Sequence, residues 1–208
     1  MAKSVTDEWV ERCSRQIILP EIGTRRQTKL AEAKVLVIGI GGEGSPTAFY
    51  PAAAGTGMIW VFDCDDLEFS NFQRQILHST NDFGRSKIAS AEERLEALNS
   101  EVEVVPQSAK QTPKNIMDIL VDYDIVVDSS DNFATRYLVN DVCVLSGKPL
   151  VEAVIGFKAQ GTTVIPKESK CYKCISPELP LPNFVPSCRK AGVIGTIGGY
   201  WLCVSHSC

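Results

Sequence analysis

Gly39, Gly41 and Gly44 fall on a G-x-G-x-x-G spacing, and Asp63 follows about 20 residues later. Such a turn lets backbone N–H groups approach phosphates at a helix N-terminus, where the helix dipole favours negative charge. The carboxylate of Asp63 can accept hydrogen bonds from ribose hydroxyls. A glycine turn that serves only packing is the competing explanation. The strand–turn–helix–strand unit around it, KVLVIGIGGEGSPTAFYPAAAGTGMIWVFD, favours a bound nucleotide.

Downstream, residues 65–84 carry Asn71, Arg74 and Gln75, and Lys87 follows closely. A dinucleotide-dependent dehydrogenase has little need of two fixed cations after its second strand. A triphosphate does, because its charge must be neutralised while a P–O bond breaks. Solvated surface cations are the alternative. Asp131 sits in the turn after a predicted strand, where open sheets bind ligands. It could ligate Mg²⁺ beside phosphates or cap the helix that follows. Cys171 and Cys174, in CYKC, form a knuckle that suits tetrahedral zinc but supply only half of a site. Cys203, His206 and Cys208 are ligand types that could complete it, or could lie there by accident. Cys13, Cys64 and Cys143 read as core or near-core residues.

The elements that position these groups alternate. Residues 7–20 read as a helix, followed by a turn-like IILPEIG. Val35–Ile38 and Met58–Phe62 read as buried strands flanking a helix rich in small residues. Residues 65–84 have no clear period, and loops of that length are usually functional. Ser86 caps a helix that presents Ile88, Ala91, Leu95 and Leu98 on one face. Val102–Val105 is a strand, 113–120 a helix, Ile125–Asp128 a strand and 133–145 a helix. Strands come next at 149–154 and 161–165. The pattern predicts an α/β fold: a Rossmann-like, doubly wound, mainly parallel sheet with helices on both faces. A single domain is expected, with a helical arm over 1–33, the core over 34–165 and a cysteine-containing region over 166–208.

The chain has 208 residues, 44% of them hydrophobic, enough for a sizeable core. A net charge of −4 gives no electrostatic support for nucleic-acid binding. The polar start MAKSVTDEWVERC lacks the apolar core of a signal peptide, and no apolar run is long enough to span a membrane. With eight cysteines but no export signal, metal-binding or reactive thiols are expected rather than disulfides, and the cytoplasm is the expected compartment.

RCSRQI, GIGGEGSP, DCDDLEFSNFQRQIL, GRSKIASA, DSSDNFATRYLVND, CYKC and SCRKAGVIG occur in one order and at familiar intervals. Together they resemble the ThiF/MoeB family, bacterial relatives of ubiquitin-activating enzymes. The resemblance implies adenylation of the C-terminal Gly-Gly of a small ubiquitin-like sulfur-carrier protein, with ATP and Mg²⁺ and release of pyrophosphate, as in molybdopterin or thiamine biosynthesis. It implies a nucleotide site made of Gly39, Gly41, Gly42, Gly44, Asp63, Asn71, Arg74, Gln75, Lys87, Asp131 and Asn132. In that site Asp63 would hold the ribose, Asn71, Arg74 and Lys87 the triphosphate, and Asp131 the Mg²⁺. Arg15 resembles an arginine that reaches into the partner's site, which implies a homodimer. Cys188, beside Arg189 and Lys190, matches a position where some members carry a thiol for later transfer, whereas others work by adenylation alone. The family closes its zinc site with a second C-x-x-C, which this chain lacks. The nucleotide fingerprint by itself also permits an NAD-dependent oxidoreductase, and the short C-terminal region a non-catalytic ATP-binding remnant.

Three residues depart from the family pattern. Glu43 would repel phosphates if it faced them and is expected to point away. Pro51 should kink its helix. Glu152 stands near the end of a core strand where a small residue is usual.

Overall fold

The computed structural model describes residues 6–108, 116–120, 122–155, 159–178 and 192–199. Its centre is a six-stranded sheet formed by β1 (Lys34–Ile38), β2 (Met58–Phe62), β3 (Glu103–Gln107), β4 (Ile125–Asp128), β5 (Leu150–Ile155) and β6 (Ala159–Val164), in the order β3-β2-β1-β4-β5-β6. All neighbours run parallel except β5 and β6, which form an antiparallel edge. The order reverses between β1 and β4, and such a switch point opens a crevice at the carboxyl ends of the strands.

The side-chain alternation of β1 explains the layering. Val35 and Val37 point to one face, where they join Ala48 and Ala52 of α3 (Gly44–Ala54) and Ala91 and Leu95 of α4 (Lys87–Leu98). Leu36 and Ile38 point to the other, against Ile116 and Leu120 of α5 (Ile116–Leu120) and Val139, Val142 and Cys143 of α6 (Phe133–Ser146). Both faces of β1 are buried, as a parallel strand under helices requires.

Several elements differ from the sequence reading. The first helix, α1 (Asp7–Ile17), is succeeded by a second helix, α2 (Gly23–Glu32), rather than by a simple turn into β1. Helix α2 buries only Gln27 and Ala31, so it has no apolar stripe to betray it. Gln27 docks it instead, by donating to the carbonyl of Ala54 at 2.8 Å. Leu98 does not share the buried face of α4 and is 37% exposed. Cys64 is exposed, not near-core, whereas Cys13 and Cys143 are buried. Val102 is buried but precedes β3, and residues 113–115 of the expected helix lie outside the described residues.

Pro51 does not end α3. It sits in the last turn, and its carbonyl accepts from the N–H of Thr56 at 3.0 Å while Gly55, with φ +86°, donates to Ala52. This is a Schellman ending, in which Pro51 provides an acceptor the cap requires. Among the described residues no helix is long and apolar enough to cross a membrane.

Candidate functional site

The glycine turn joins β1 to α3 by close backbone approaches. Gly39 has φ +85°, and a Cβ there would lie 2.8 Å from the carbonyl oxygen of Ser129. A Cβ on Gly44 would sit 1.9 Å from the Gly39 carbonyl oxygen, so the turn cannot close with a side chain there. Gly41 differs: its nearest neighbour would be Gln75 Nε2 at 3.7 Å, an ordinary contact. Its lack of a side chain is not demanded by packing and leaves its amide open to approach. Gly42 lies beside the segment 192–199, where a Cβ on Gly198 would be 2.5 Å from the Gly42 carbonyl oxygen.

Asp63, just past β2, reaches back to this turn. Its Oδ2 accepts from the N–H of Ile40 and its Oδ1 from that of Asp65, each at 2.9 Å. Each oxygen keeps a second lone pair, so Asp63 retains acceptor capacity for ribose hydroxyls while it orients the turn. Lys87, the first residue of α4, places its ammonium 2.7 Å from Asp65 and 3.6 Å from Asp63. Its side chain is 7% exposed, far too buried for a solvated surface charge.

Residues 65–84 fold on their own scaffold. Asn71 is buried and its Oδ1 accepts from the N–H of Glu68 at 2.9 Å, which shapes a short 3₁₀ turn over Phe69–Asn71. Arg74 donates to the Ser70 carbonyl at 2.8 Å and is half-buried. Gln75, its neighbour, is buried against Gly41. At the far end Asp82 accepts from Ser79, Arg85 and Arg94. Burial would raise its pKa, but the Ser79 donors and Arg94 outweigh that and hold the carboxyl down at about 2.

The turn after β4 lies against the glycine turn, since Ser129 donates to the carbonyl of Ile38 and faces Gly39. Asp131 in this turn is exposed, and it is not the helix cap. Asn132 caps α6 by accepting from the N–H of Thr135 at 2.8 Å. Asp131 is thereby left for another use, while the side-chain oxygen of Asn132 is engaged.

A buried ionic cluster underlies both turns. Arg136 of α6 donates to the Ser130 carbonyl and lies 4.0 Å from Glu43, which is buried and turned inward as its charge requires. Asp128 is fully buried at the end of β4, opposite Glu152 of β5 in register. Burial, then the neighbouring Asp128, pushes Glu152 up to about 8, and burial likewise raises Asp128. Arg136 and the buried His78, which touches Ile40 and Ser90, escaped the sequence reading. The phasing of Arg136 on α6 carried a signal; nothing in the sequence marked His78.

Arg15 lies exposed in the last turn of α1. Cys171 and Cys174 place their sulfurs 3.5 Å apart around α7 (Tyr172–Ile175), near the roughly 3.8 Å separation of two thiolates on tetrahedral zinc. The Cys171 thiol is raised by burial, but donors at Cys174 and Lys173 outweigh it and hold the group below its ordinary value. Among the described residues no group of three or more His, Cys, Asp or Glu is placed to hold a metal. Cys188, Arg189, Lys190, Cys203, His206 and Cys208 lie outside the described residues.

Comparison with known proteins matches this arrangement. The ThiF family profile covers residues 13–203. The "Adenylyltransferase and sulfurtransferase MOCS3" of Culex quinquefasciatus is 46% identical over 191 residues, which is 91% of this chain and 44% of that protein. The chain thus spans less than half the length of this relative. The "Sulfur carrier protein adenylyltransferase" of Thermus thermophilus is 45% identical over 198 residues, 92% of this chain and 73% of that one. Among solved structures, the E. coli tRNA N6-threonylcarbamoyladenosine dehydratase TcdA in complex with ATP superposes with a TM-score of 0.71 at 29% identity, over 75% of this chain and 64% of that chain. A glycine turn at the switch point, the order of the motifs along the chain and the extent of these matches lead to one assignment: the chain belongs to the ThiF family.

Proposed function

We propose that the chain is an ATP-dependent adenylyltransferase that activates the C-terminal glycine of a small ubiquitin-like sulfur-carrier protein. The observation that carries this reading is Lys87, a buried cation 3.6 Å from a carboxylate that is itself bonded to the glycine turn. Its closer partner, Asp65, is 67% exposed and can turn to solvent at little cost when phosphate oxygens take its place. The family's relatives with adenylyltransferase names, and a neighbour bound to ATP, support the same chemistry.

In this reaction a carboxylate oxygen of the carrier's terminal glycine attacks the α-phosphorus. The bond from that phosphorus to the bridging oxygen breaks, and its electron pair leaves with pyrophosphate. The products are the acyl-adenylate and pyrophosphate, so no side-chain nucleophile is needed. The protein's task is to position and to stabilise charge. The glycine-turn amides, Arg74 and Lys87 neutralise phosphate oxygens, Asn71 and Gln75 shape the wall, and Asp63 orients the ribose. Asp131, exposed at the switch point and unused as a cap, fits a Mg²⁺ ligand. That ion would supply charge neutralisation on the phosphates. Cys171 and Cys174 fit half of a zinc site. Arg15 would serve the site of a second copy in a homodimer, and a cytoplasmic site of action suits a carrier-activating step.

The test is ATP–pyrophosphate exchange across a panel of purified carriers ending in Gly-Gly. Exchange that requires a carrier and falls at least 100-fold in Lys87→Met is the expected result. ATP binding with no exchange for any carrier would leave a non-catalytic nucleotide-binding protein, and NADH binding in place of ATP would point to an oxidoreductase.

A further inference from the structure

Ile40 stands between Gly39 and Gly41, and side chains hold its polar backbone groups from both sides. Its N–H donates to Asp63 at 2.9 Å, and its carbonyl oxygen lies 3.2 Å from His78 Nε2. A carbonyl only accepts, so Nε2 must carry the proton. The other ring nitrogen, Nδ1, is 2.9 Å from Ser90 Oγ. In a neutral imidazole that nitrogen is an acceptor, so the Ser90 hydroxyl donates to it. The geometry therefore fixes both the tautomer and the direction of a three-group chain, from Ser90 on α4 through His78 to the glycine turn. Ser90 is fully buried and His78 nearly so, which protects the chain from competing water. Burial is also the main influence that lowers the pKa of His78 and keeps it neutral.

The consequence lies one peptide further on. The Ile40 carbonyl belongs to the same peptide plane as the Gly41 N–H, because that plane is rigid. Fixing the carbonyl toward His78 turns the Gly41 amide the opposite way. Gly41 has no steric reason to lack a side chain. On the proposed nucleotide site, its amide is among those that meet phosphate. Without His78 this plane could rotate, since a glycine follows and opposes rotation least.

We propose that His78 is a positioning residue that aims the Gly41 amide at the nucleotide phosphates, with Ser90 setting its tautomer. It touches neither substrate nor reacting atoms and acts through the peptide joining Ile40 and Gly41.

Two variants that differ by one methylene separate this role from general packing. His78→Gln keeps an N–H donor within reach of the Ile40 carbonyl, whereas His78→Asn keeps a polar group near Ser90 but falls short of Ile40. Amide hydrogen exchange is measured on the parent and both variants without nucleotide. Exchange across residues 40–45 is expected to rise about tenfold in His78→Asn, with β2 and β4 unchanged, and to stay within about threefold of the parent in His78→Gln. Binding of ATP and of adenosine is measured alongside. The expected result is about tenfold weaker ATP binding by His78→Asn with adenosine affinity unchanged, and rescue by His78→Gln. Unchanged exchange in His78→Asn, equal loss in both variants, or equal weakening of ATP and adenosine would overturn the proposal. A parent that binds no ATP overturns the nucleotide reading alone, and the exchange data then decide the role of His78.

Discussion

Replacing Glu152 by glutamine should stabilise the protein, by an amount that grows with pH. Glu152 is 2% exposed, and both of its carboxyl oxygens lack a hydrogen-bond partner among the described residues. It faces Asp128 across two adjacent strands. Burial first and Asp128 second raise its pKa from 4.5 to about 8. The folded protein therefore holds a proton near neutrality that the unfolded chain releases. For an acid with a raised folded pKa, the stability is fully present below pH 4.5 and is lost as pH climbs toward 8. The slope in that window is about 1.4 kcal/mol per pH unit, which makes the cost of the carboxyl at pH 7 about 3 kcal/mol and the full span roughly 5 kcal/mol. Asp128 is raised as well and draws on the same proton, so these values are upper bounds. Glutamine has the same shape, cannot ionise and offers an N–H₂ group to Asp128 Oδ2, which has no partner among the described residues. Urea unfolding of parent and Glu152→Gln at pH 5, 7 and 8.5 gives the comparison. The stability gap should be below about 1 kcal/mol at pH 5, about 2–3 kcal/mol at pH 7 and wider at pH 8.5. Parallel curves, or a glutamine variant less stable than the parent at pH 8.5, would show that the fold does not raise the Glu152 pKa and that the buried cluster is organised differently.

The adjacent pair Asp131 and Asn132 should separate activity from stability. Asp131→Ala should lower single-turnover adenylate yield about 100-fold with an unchanged melting temperature, whereas Asn132→Ala should cost about 1 kcal/mol in urea unfolding through loss of the helix cap. Asp82→Asn tests the anchor of the 65–84 loop in acid. Its carboxyl is held at about 2 against an ordinary 3.8, so the stability it contributes is present above pH 4 and is lost as pH falls toward 2. The variant should be about 2 kcal/mol less stable than the parent at pH 7, with the gap closing by pH 2 in acid titrations followed by circular dichroism.

How legible each element was in the sequence depends on what it buries. Strands β1 and β4 are buried on both faces and β2 on one face and partly on the other, so their apolar runs stand out, and the glycine spacing fixes the turn between β1 and α3. Helix α2 was illegible because a glutamine side chain, not an apolar stripe, docks it. Cys64 misled because a residue beside an apolar strand can still face solvent once the strand has ended. Asp131 and Asn132 were ambiguous because both residue types cap helices, and only the hydrogen bond to Thr135 assigns the cap. The side chains that orient the glycine turn were the hardest to foresee. His78 comes from the 65–84 loop and Arg136 from α6, and each meets the turn only after the sheet has assembled.

Glu43 belongs to the same buried arrangement. Coulomb's law alone requires only that this carboxylate avoid the phosphates. Where it goes instead depends on Arg136, which lies 4.0 Å from it and simultaneously holds the Ser130 carbonyl of the turn carrying Asp131. One buried guanidinium thus ties the glycine turn to the acidic turn opposite, while His78 ties the same glycine turn to α4. Burying Arg136 would be costly without partners, and Glu43, Asp128 and Glu152 provide more negative charge than it needs. The excess is relieved by a proton on the Asp128–Glu152 pair, as their raised pKa values express. The departures at positions 43 and 152 are therefore two parts of one arrangement. Glu43 gives Arg136 its partner under the glycine turn, and Glu152 stays close to neutral so that the cluster does not carry surplus charge into the core.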